Sequence, residues 1–189
     1  MRIASFYGDA FEGQFALRLK DSARAFEMEC DLYQETKPGG LRERGRMRTK
    51  TLLRCLAEHP GEDVLFVEAD AQLHRRPDIL LDEKDFEIGI YYDTGTLAIS
   101  GPVFVRNSPR VVPLIREWRA LNHAFPENSE LENLSQVLSR PGFGLEIRRF
   151  PVTYAWVERV HRASHPQARP VIYHYQTNGH RTRRIGIPQ

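Results

Sequence analysis

Val64-Leu65-Phe66-Val67-Glu68-Ala69-Asp70 is the stretch that most constrains what this chain can fold into. Four consecutive apolar residues run directly into two carboxylates two positions apart. An unbroken apolar run of this length predicts a strand buried on both faces, as in a parallel or mixed sheet. Residues two apart in extended chain point the same way, so Glu68 and Asp70 are expected to project together from the carboxyl end of that strand. In open α/β sheets that end is where ligands bind. Two acids side by side repel unless a proton or a cation sits between them, and a divalent ion with oxygen ligands is the simplest solution. The plainer alternative is a strand that runs out into an acidic, exposed loop.

The flanking pattern places this strand in a larger unit. Arg2–Tyr7 predicts a first strand, ended by Gly8-Asp9. Residues 14–26 carry Phe15, Leu17, Leu19, Ala23 and Phe26 at helical spacing. Cys30–Tyr33 predicts a second strand. Arg42–His59 predicts a helix whose buried face is Leu52, Leu53, Leu56 and Ala57, closed by Pro60-Gly61. The first 70 residues therefore read β-α-β-α-β, the opening of an α/β nucleotide-binding fold.

Further on, Asp85–Tyr92 and Leu97–Val105 predict a strand pair around a turn at Asp93-Thr94-Gly95-Thr96. Ser108-Pro109 predicts a helix start, with Val111, Val112, Leu114, Ile115, Trp118 and Leu121 as its core face. Ser129-Glu130-Leu131-Glu132 has the capping-box spacing at the start of another helix. Phe150–Val157 and Val171–Gln176 predict late strands, and His180–Arg184 a basic, exposed end. No repeat or linker interrupts the pattern, so one α/β domain over residues 1–189 is the economical expectation.

Bulk properties exclude several classes. No apolar stretch approaches the ~20 residues that span a bilayer. The N-terminus lacks the apolar centre of a signal peptide, so a cytoplasmic location is expected. Cys30 and Cys55 sit in no metal-ligand spacing and read as buried small hydrophobes. The net charge of +2 is unevenly split: residues 1–95 hold 14 bases and 19 acids, residues 96–189 hold 13 bases, all Arg, and 6 acids. A basic half facing an acidic site suits a phosphorylated ligand, and would also suit nucleic acid. The chain has no phosphate-binding G-x-x-x-x-G-K-[ST], no dinucleotide G-x-G-x-x-G, no G-x-S-x-G elbow and no C-x-x-C or H-E-x-x-H.

Taken together, these segments resemble the nucleotide-sugar-dependent glycosyltransferases of the GT-A fold. The resemblance rests on a first strand, a helix bearing Lys50, an apolar strand ending in acid-x-acid, and Pro77 after it. It continues through Glu87–Ile90, then Ser100-Gly101 and a strand ending in Asn107, the acidic helix start at Ser129–Leu138, and the His-bearing Val171–Gln176. It implies a single GT-A-like, Rossmann-like α/β domain with a mixed, mainly parallel sheet flanked by helices. It also implies a nucleoside-diphosphate-sugar donor, UDP- or GDP-linked, an acceptor hydroxyl and a divalent metal, Mn2+ or Mg2+.

The resemblance assigns residues as follows. Asp70, Glu68 and His174 are metal-ligand candidates. The family's pair is more often Asp-x-Asp, so the longer Glu68 is also a candidate for the donor ribose or a metal-bound water. His174 has the alternative of a half-buried strand histidine satisfied by a backbone carbonyl, and His180 is a second choice. Tyr7, at the end of the first strand, falls where this fold places the nucleobase, or else is a strand-edge aromatic of the core. Lys50 is the phosphate candidate; it shares a helix face with Arg46 and Arg42, which is otherwise a solvated basic face. Ser100 and Gly101 would allow a ligand close to the backbone, or form a tight turn before Pro102. Glu130 is the candidate acceptor-binding acid or base, because Glu132 is already occupied by the capping box.

The expected function is transfer of a sugar from a nucleotide-sugar to an acceptor hydroxyl by a metal-dependent glycosyltransferase. The rival expectation is a non-catalytic protein of the same fold, binding a nucleotide or, through its Arg-rich half, nucleic acid. Basic motifs interleaved with aromatics, which single-stranded nucleic acid requires, are missing, so the nucleic-acid version is not favoured.

Overall fold

The computed structural model describes residues 1–36, 38–93 and 97–175, and of Leu41, Ser100 and Pro141 the backbone alone. Strand β1 (Arg2–Tyr7) gives way to helix α1 (Ala10–Arg24) at a reciprocal cap. The Asp9 carboxylate accepts the Glu12 N–H at 2.8 Å, and Glu12 accepts the Gly8 N–H at 2.7 Å. Two donors that the first turn would otherwise leave unpaired are thereby satisfied. The helix buries Ala16, Leu19 and Ala23. Leu17, expected on that face, points to solvent, and Phe26 lies beyond the helix in the turn toward β2 (Glu29–Gln34).

Helix α2 (Leu41–Glu58) then leads to β3 (Val64–Phe66). Both β2 and β3 pair in parallel with β1, so the β-α-β-α-β opening is as expected. Val64, Leu65, Phe66 and Val67 are all fully buried, which is the double-sided burial that an unbroken apolar run implies. Alternation divides the core. Ala4, Phe6, Val64 and Phe66 face the layer built with α2 and the later helices, whereas Ile3, Leu65 and Val67 face the layer built with α1.

After β4 (Ala71–Leu73) and the short α3 (Asp78–Asp82) come β5 (Ile88–Asp93) and β6 (Leu97–Val105). Helices α4 (Val111–Ala124) and α5 (Glu130–Leu138) follow, then β7 (Ile147–Arg149), α6 (Glu158–His161) and β8 (Ile172–His174). The central sheet has six strands in the order β2-β1-β3-β6-β5-β7. Its β1–β2, β1–β3 and β5–β7 pairings are parallel, and β3–β6 and β5–β6 are antiparallel. Strands β4 and β8 form a separate antiparallel ribbon. No helix among the described residues is long and apolar enough to cross a membrane.

Four local expectations change. Helix α4 begins at Val111, not at Pro109, and its cap position is Arg110. The reason is Asn107, which donates to the Leu56 and His59 carbonyls at the end of α2 and so holds the preceding loop in place. Ser108 then closes a turn by accepting the Val111 N–H. The strand expected over Phe150–Val157 lies earlier, at β7. Phe150 makes the last ladder bond, to Ile90 O at 2.8 Å, and Pro151 has no N–H with which to continue. Ser100-Gly101 is no turn but part of β6, where the β5–β6 register slips: Ile90 faces Val103 while Tyr91 faces Ile99. Ser100, Gly101 and Pro102 therefore stand opposite no residue, an enlarged bulge. Finally β4, only three residues long, has no counterpart among the expected elements. The turn expected around residues 94–96 and the basic end with His180 lie outside the described residues.

Candidate functional site

The carboxyl ends of β1 and β3 open onto a cluster of charge supplied by four elements. Helix α2 contributes Arg44 and Arg48, both buried. Their guanidiniums lie over the rings of Phe6 and Phe66, at 5.9 and 5.3 Å from the centroids, so each rests on the aromatic end of a central strand. Arg44 is ion-paired with Glu12 of α1 and approaches Glu68 at 3.8 Å. Arg48 is ion-paired with both Glu68 and Glu130. The result is an alternating chain, Glu12–Arg44–Glu68–Arg48–Glu130. Burial alone would raise the Glu68 pKa, but the charge and hydrogen bond of Arg48, helped by Arg44, outweigh it and hold the carboxyl below the usual range.

Helix α5 delivers Glu130. Its start is the capping box expected from the sequence: the Ser129 hydroxyl accepts the Glu132 N–H, and the Glu132 carboxylate accepts the Ser129 N–H at 2.7 Å. Glu132 is thus spent on the cap and Glu130 turns inward. It lands on Gly45, where a Cβ would lie 2.7 Å from the Glu130 Cβ. A buried amide network fixes the same contact. Asn133 donates to Asn122 at 3.0 Å, and Asn122 reaches the Gly45 carbonyl at 3.5 Å.

The ribbon β4–β8 supplies the histidine. Ala71 pairs with His174, and the Tyr175 N–H donates to the Asp70 carbonyl at 3.2 Å. His174 therefore sits beside the backbone of Asp70 and within electrostatic range of Glu68. Its ring is buried and hydrogen-bonded to the Tyr154 backbone, while Nε2 has no hydrogen-bond partner among the described residues. Burial pushes its pKa down to about 4, against the smaller upward pull of Glu68, so the ring is neutral at pH 7. A neutral imidazole with one nitrogen fixed by the backbone and the other bare is the arrangement found in metal-ligating histidines. Asp70 is buried, so the alternative of an acidic, exposed loop after the strand does not hold for it. Glu68 has its oxygens turned to two guanidiniums, and among the described residues Glu68, Asp70 and His174 do not bring three ligand atoms within 4.8 Å of one another; a divalent ion there would rest on the bare His174 nitrogen and on the carboxylate of Asp70, whose backbone lies beside it.

Of the remaining expected site residues, Gly101 joins this group: a Cβ there would meet Glu68 Cγ at 3.4 Å. Ser100 is beside it in β6, its side chain outside the described residues. Tyr7 closes β1 with its ring over Gly13, where a Cβ would stand 3.3 Å from Cε2. Lys50 is not brought in; it is exposed and paired with Glu35 at 2.6 Å. Arg44 and Arg48 are the residues that sequence reasoning missed. The signal was available, because stepping back from Leu56 and Leu52 by four residues at a time reaches Arg48 and Arg44 on the same helix face.

No family model matches the chain, and no curated protein does. Solved structures do. The chain is similar to a glycosyltransferase involved in glycosylation of the major capsid of PBCV-1, with a TM-score of 0.71 over 93% of this chain and 92% of that one, at 12% identity. The fold is GT-A-like. It also matches the glycosyltransferase GlyE of Streptococcus pneumoniae TIGR4, with a TM-score of 0.63 and 12% identity, over 94% of this chain and 55% of GlyE. The galactosyltransferase LgtC, solved with donor and acceptor sugar analogues, matches with a TM-score of 0.53 and 11% identity over 94% of this chain and 88% of LgtC. At these identities the likeness concerns the GT-A-like fold and not particular side chains.

Proposed function

We propose that the chain, as a single domain, is a metal-dependent glycosyltransferase that moves a sugar from a UDP- or GDP-linked donor to an acceptor hydroxyl. The observation that carries the proposal is the bare, buried Nε2 of His174 beside Asp70 at the carboxyl end of β3, on a fold shared with glycosyltransferases. Cleaving the bond between sugar and nucleoside diphosphate develops negative charge on the diphosphate. A divalent ion, Mn2+ or Mg2+, held by Asp70 and His174 would supply Lewis-acid stabilisation of that charge. The mixed oxygen and nitrogen donors suit Mn2+.

The chain's own residues do the rest of the work. Arg48 and Arg44 are preorganised donors on rigid α2, and they stabilise a leaving phosphate better than mobile surface bases do. Glu68 holds those guanidiniums in place and, across Gly101, faces the space where the bulged backbone of β6 lets a ligand approach. Tyr7 borders the nucleobase end. Glu130, ion-paired with Arg48, orients the acceptor hydroxyl or accepts its proton. A cytoplasmic setting is part of the proposal; the free, buried thiols Cys30 and Cys55 support it.

The test is a panel of nucleotide-sugars assayed with Mn2+ for transfer or slow hydrolysis, alongside Glu130→Gln. At least one donor should turn over, and the variant should lose kcat while nucleotide affinity is kept. Nucleotide binding without turnover on any donor would favour the non-catalytic alternative. Salt-sensitive nucleic-acid binding with no nucleotide binding would replace the proposal altogether.

A further inference from the structure

At the opposite end of α2 the chain carries a second cluster that the glycosyltransferase reading does not use. Asp31 from β2, Cys55 from the last turns of α2 and His59 at its C-cap each present a ligand atom, and these atoms lie within 4.8 Å of one another. His59 Nε2 is 2.9 Å from Asp31 Oδ2, and Cys55 Sγ is 3.8 Å from the same oxygen. Cys55 and His59 are four residues apart and so share one face at the helix end. Arg48, at the proposed donor site, precedes Cys55 by seven residues, which is ~10 Å along the helix axis, with His59 ~6 Å farther. The two sites are separate.

We propose that Asp31, Cys55 and His59 form a zinc site that clamps the edge strand β2 to the end of helix α2. Zinc bonds of ~2.0–2.3 Å in a tetrahedron set ligand atoms ~3.3–3.8 Å apart, so the 3.8 Å Cys55–Asp31 separation already fits and the 2.9 Å Asp31–His59 contact has to open slightly. Thiolate, imidazole and carboxylate together are a zinc set, and too soft for Mg2+ or Ca2+. Asp31 and His59 are each one-quarter exposed, which leaves a side open for ion entry and for water as fourth ligand. Arg2 contacts Asp31 at 3.4 Å and can stay on the oxygen the ion does not use, orienting the carboxylate. Its charge is shared by Glu62 at 3.1 Å, and Glu58 with Arg54 and the Tyr33 hydroxyl complete the surroundings. Binding replaces the Cys55 S–H bond with a sulfur–zinc bond and releases the proton to solvent. This inference does not depend on the glycosyltransferase proposal.

The experiment titrates the full, chelator-treated chain, kept reduced, with Co2+ as a spectroscopic stand-in for Zn2+. One equivalent should produce a thiolate-to-cobalt charge-transfer band, bleached by added Zn2+. Cys55→Ser should abolish the band, and His59→Gln and Asp31→Asn should weaken binding at least tenfold. Asp70→Asn and His174→Gln should leave the band unchanged, because that site has no sulfur. Zn2+ should raise the thermal unfolding midpoint of the parent more than that of His59→Gln. No charge-transfer band in the parent, or an equal band in Cys55→Ser, overturns the proposal. Should Cys55→Ser fail to fold, unchanged Co2+ affinity in His59→Gln, at a partly exposed position, overturns it equally.

Discussion

Gly45 and Glu130, on helices eighty-five positions apart in sequence, pack so closely that a methyl group at Gly45 would lie 2.7 Å from the Glu130 Cβ. The obstructing atoms include a Cβ fixed to the α5 backbone, so the strain cannot be relieved by swinging a flexible side-chain end. Gly45→Ala should therefore push α5 off α2, costing about 1–3 kcal/mol despite alanine's better helix propensity. Urea unfolding of the purified variant measures this; a variant more stable than the parent would mean that α5 docks elsewhere.

Arg48 holds two carboxylates apart, and its removal should expose their repulsion. Arg48→Met leaves Glu68 and Glu130 facing one another without their shared cation, and breaking buried pairs of this kind costs ~3–5 kcal/mol. Because Arg48 is the main influence holding the Glu68 pKa down, its loss lets burial raise that pKa. Protonation then relieves the variant, and the deficit relative to the parent should shrink between pH 7.5 and pH 5. Parallel urea melts at the two pH values give the answer.

Asp70→Asn should fold, since the side chain keeps its shape in a buried position, and should lose any stabilisation by UDP or GDP that requires Mn2+. In the parent a nucleotide at 100 times its Kd adds ~2.7 kcal/mol. Thermal melts with nucleotide, with and without EDTA, distinguish the cases. Equal stabilisation in EDTA would show that no ion bridges the acids and the diphosphate.

His174 makes the metal-free protein acid-sensitive. Its pKa is about 4 in the folded chain against 6.5 for the ordinary side chain. A depressed folded pKa means that the stability it carries is complete above pH 6.5. As the pH falls from 6.5 to 4, the unfolded chain takes up a proton that the folded chain refuses, and stability drops by an amount of order 3 kcal/mol. His174→Asn should flatten that part of the profile. The measurement is unfolding free energy against pH in the presence of chelator, with the parent-minus-variant difference isolating this group from the carboxylates.

Features carried by near neighbours were legible in the chain's own pattern. The period-free apolar run at Val64–Val67 forced a doubly buried strand, the alternation of three strands with two helices set the opening topology, and Ser129 with Glu132 built its capping box from four consecutive residues. Tertiary structure decided which charges meet. Arg42, Arg46 and Lys50 are as regularly spaced as Arg44 and Arg48. Only the docking of α2 over Phe6 and Phe66 selects the latter pair, which brings Arg48 to Glu68 and leaves Lys50, the expected phosphate contact, outside on Glu35. His174 reaches the end of β3, beside the Asp70 backbone, through a ribbon of two three-residue strands, about a hundred positions apart, each too short to show a periodic signal. Local preferences are set by covalent neighbours and show in the pattern. A long-range pairing is worth forming only once the whole core has closed around it, so it leaves no mark on either strand alone.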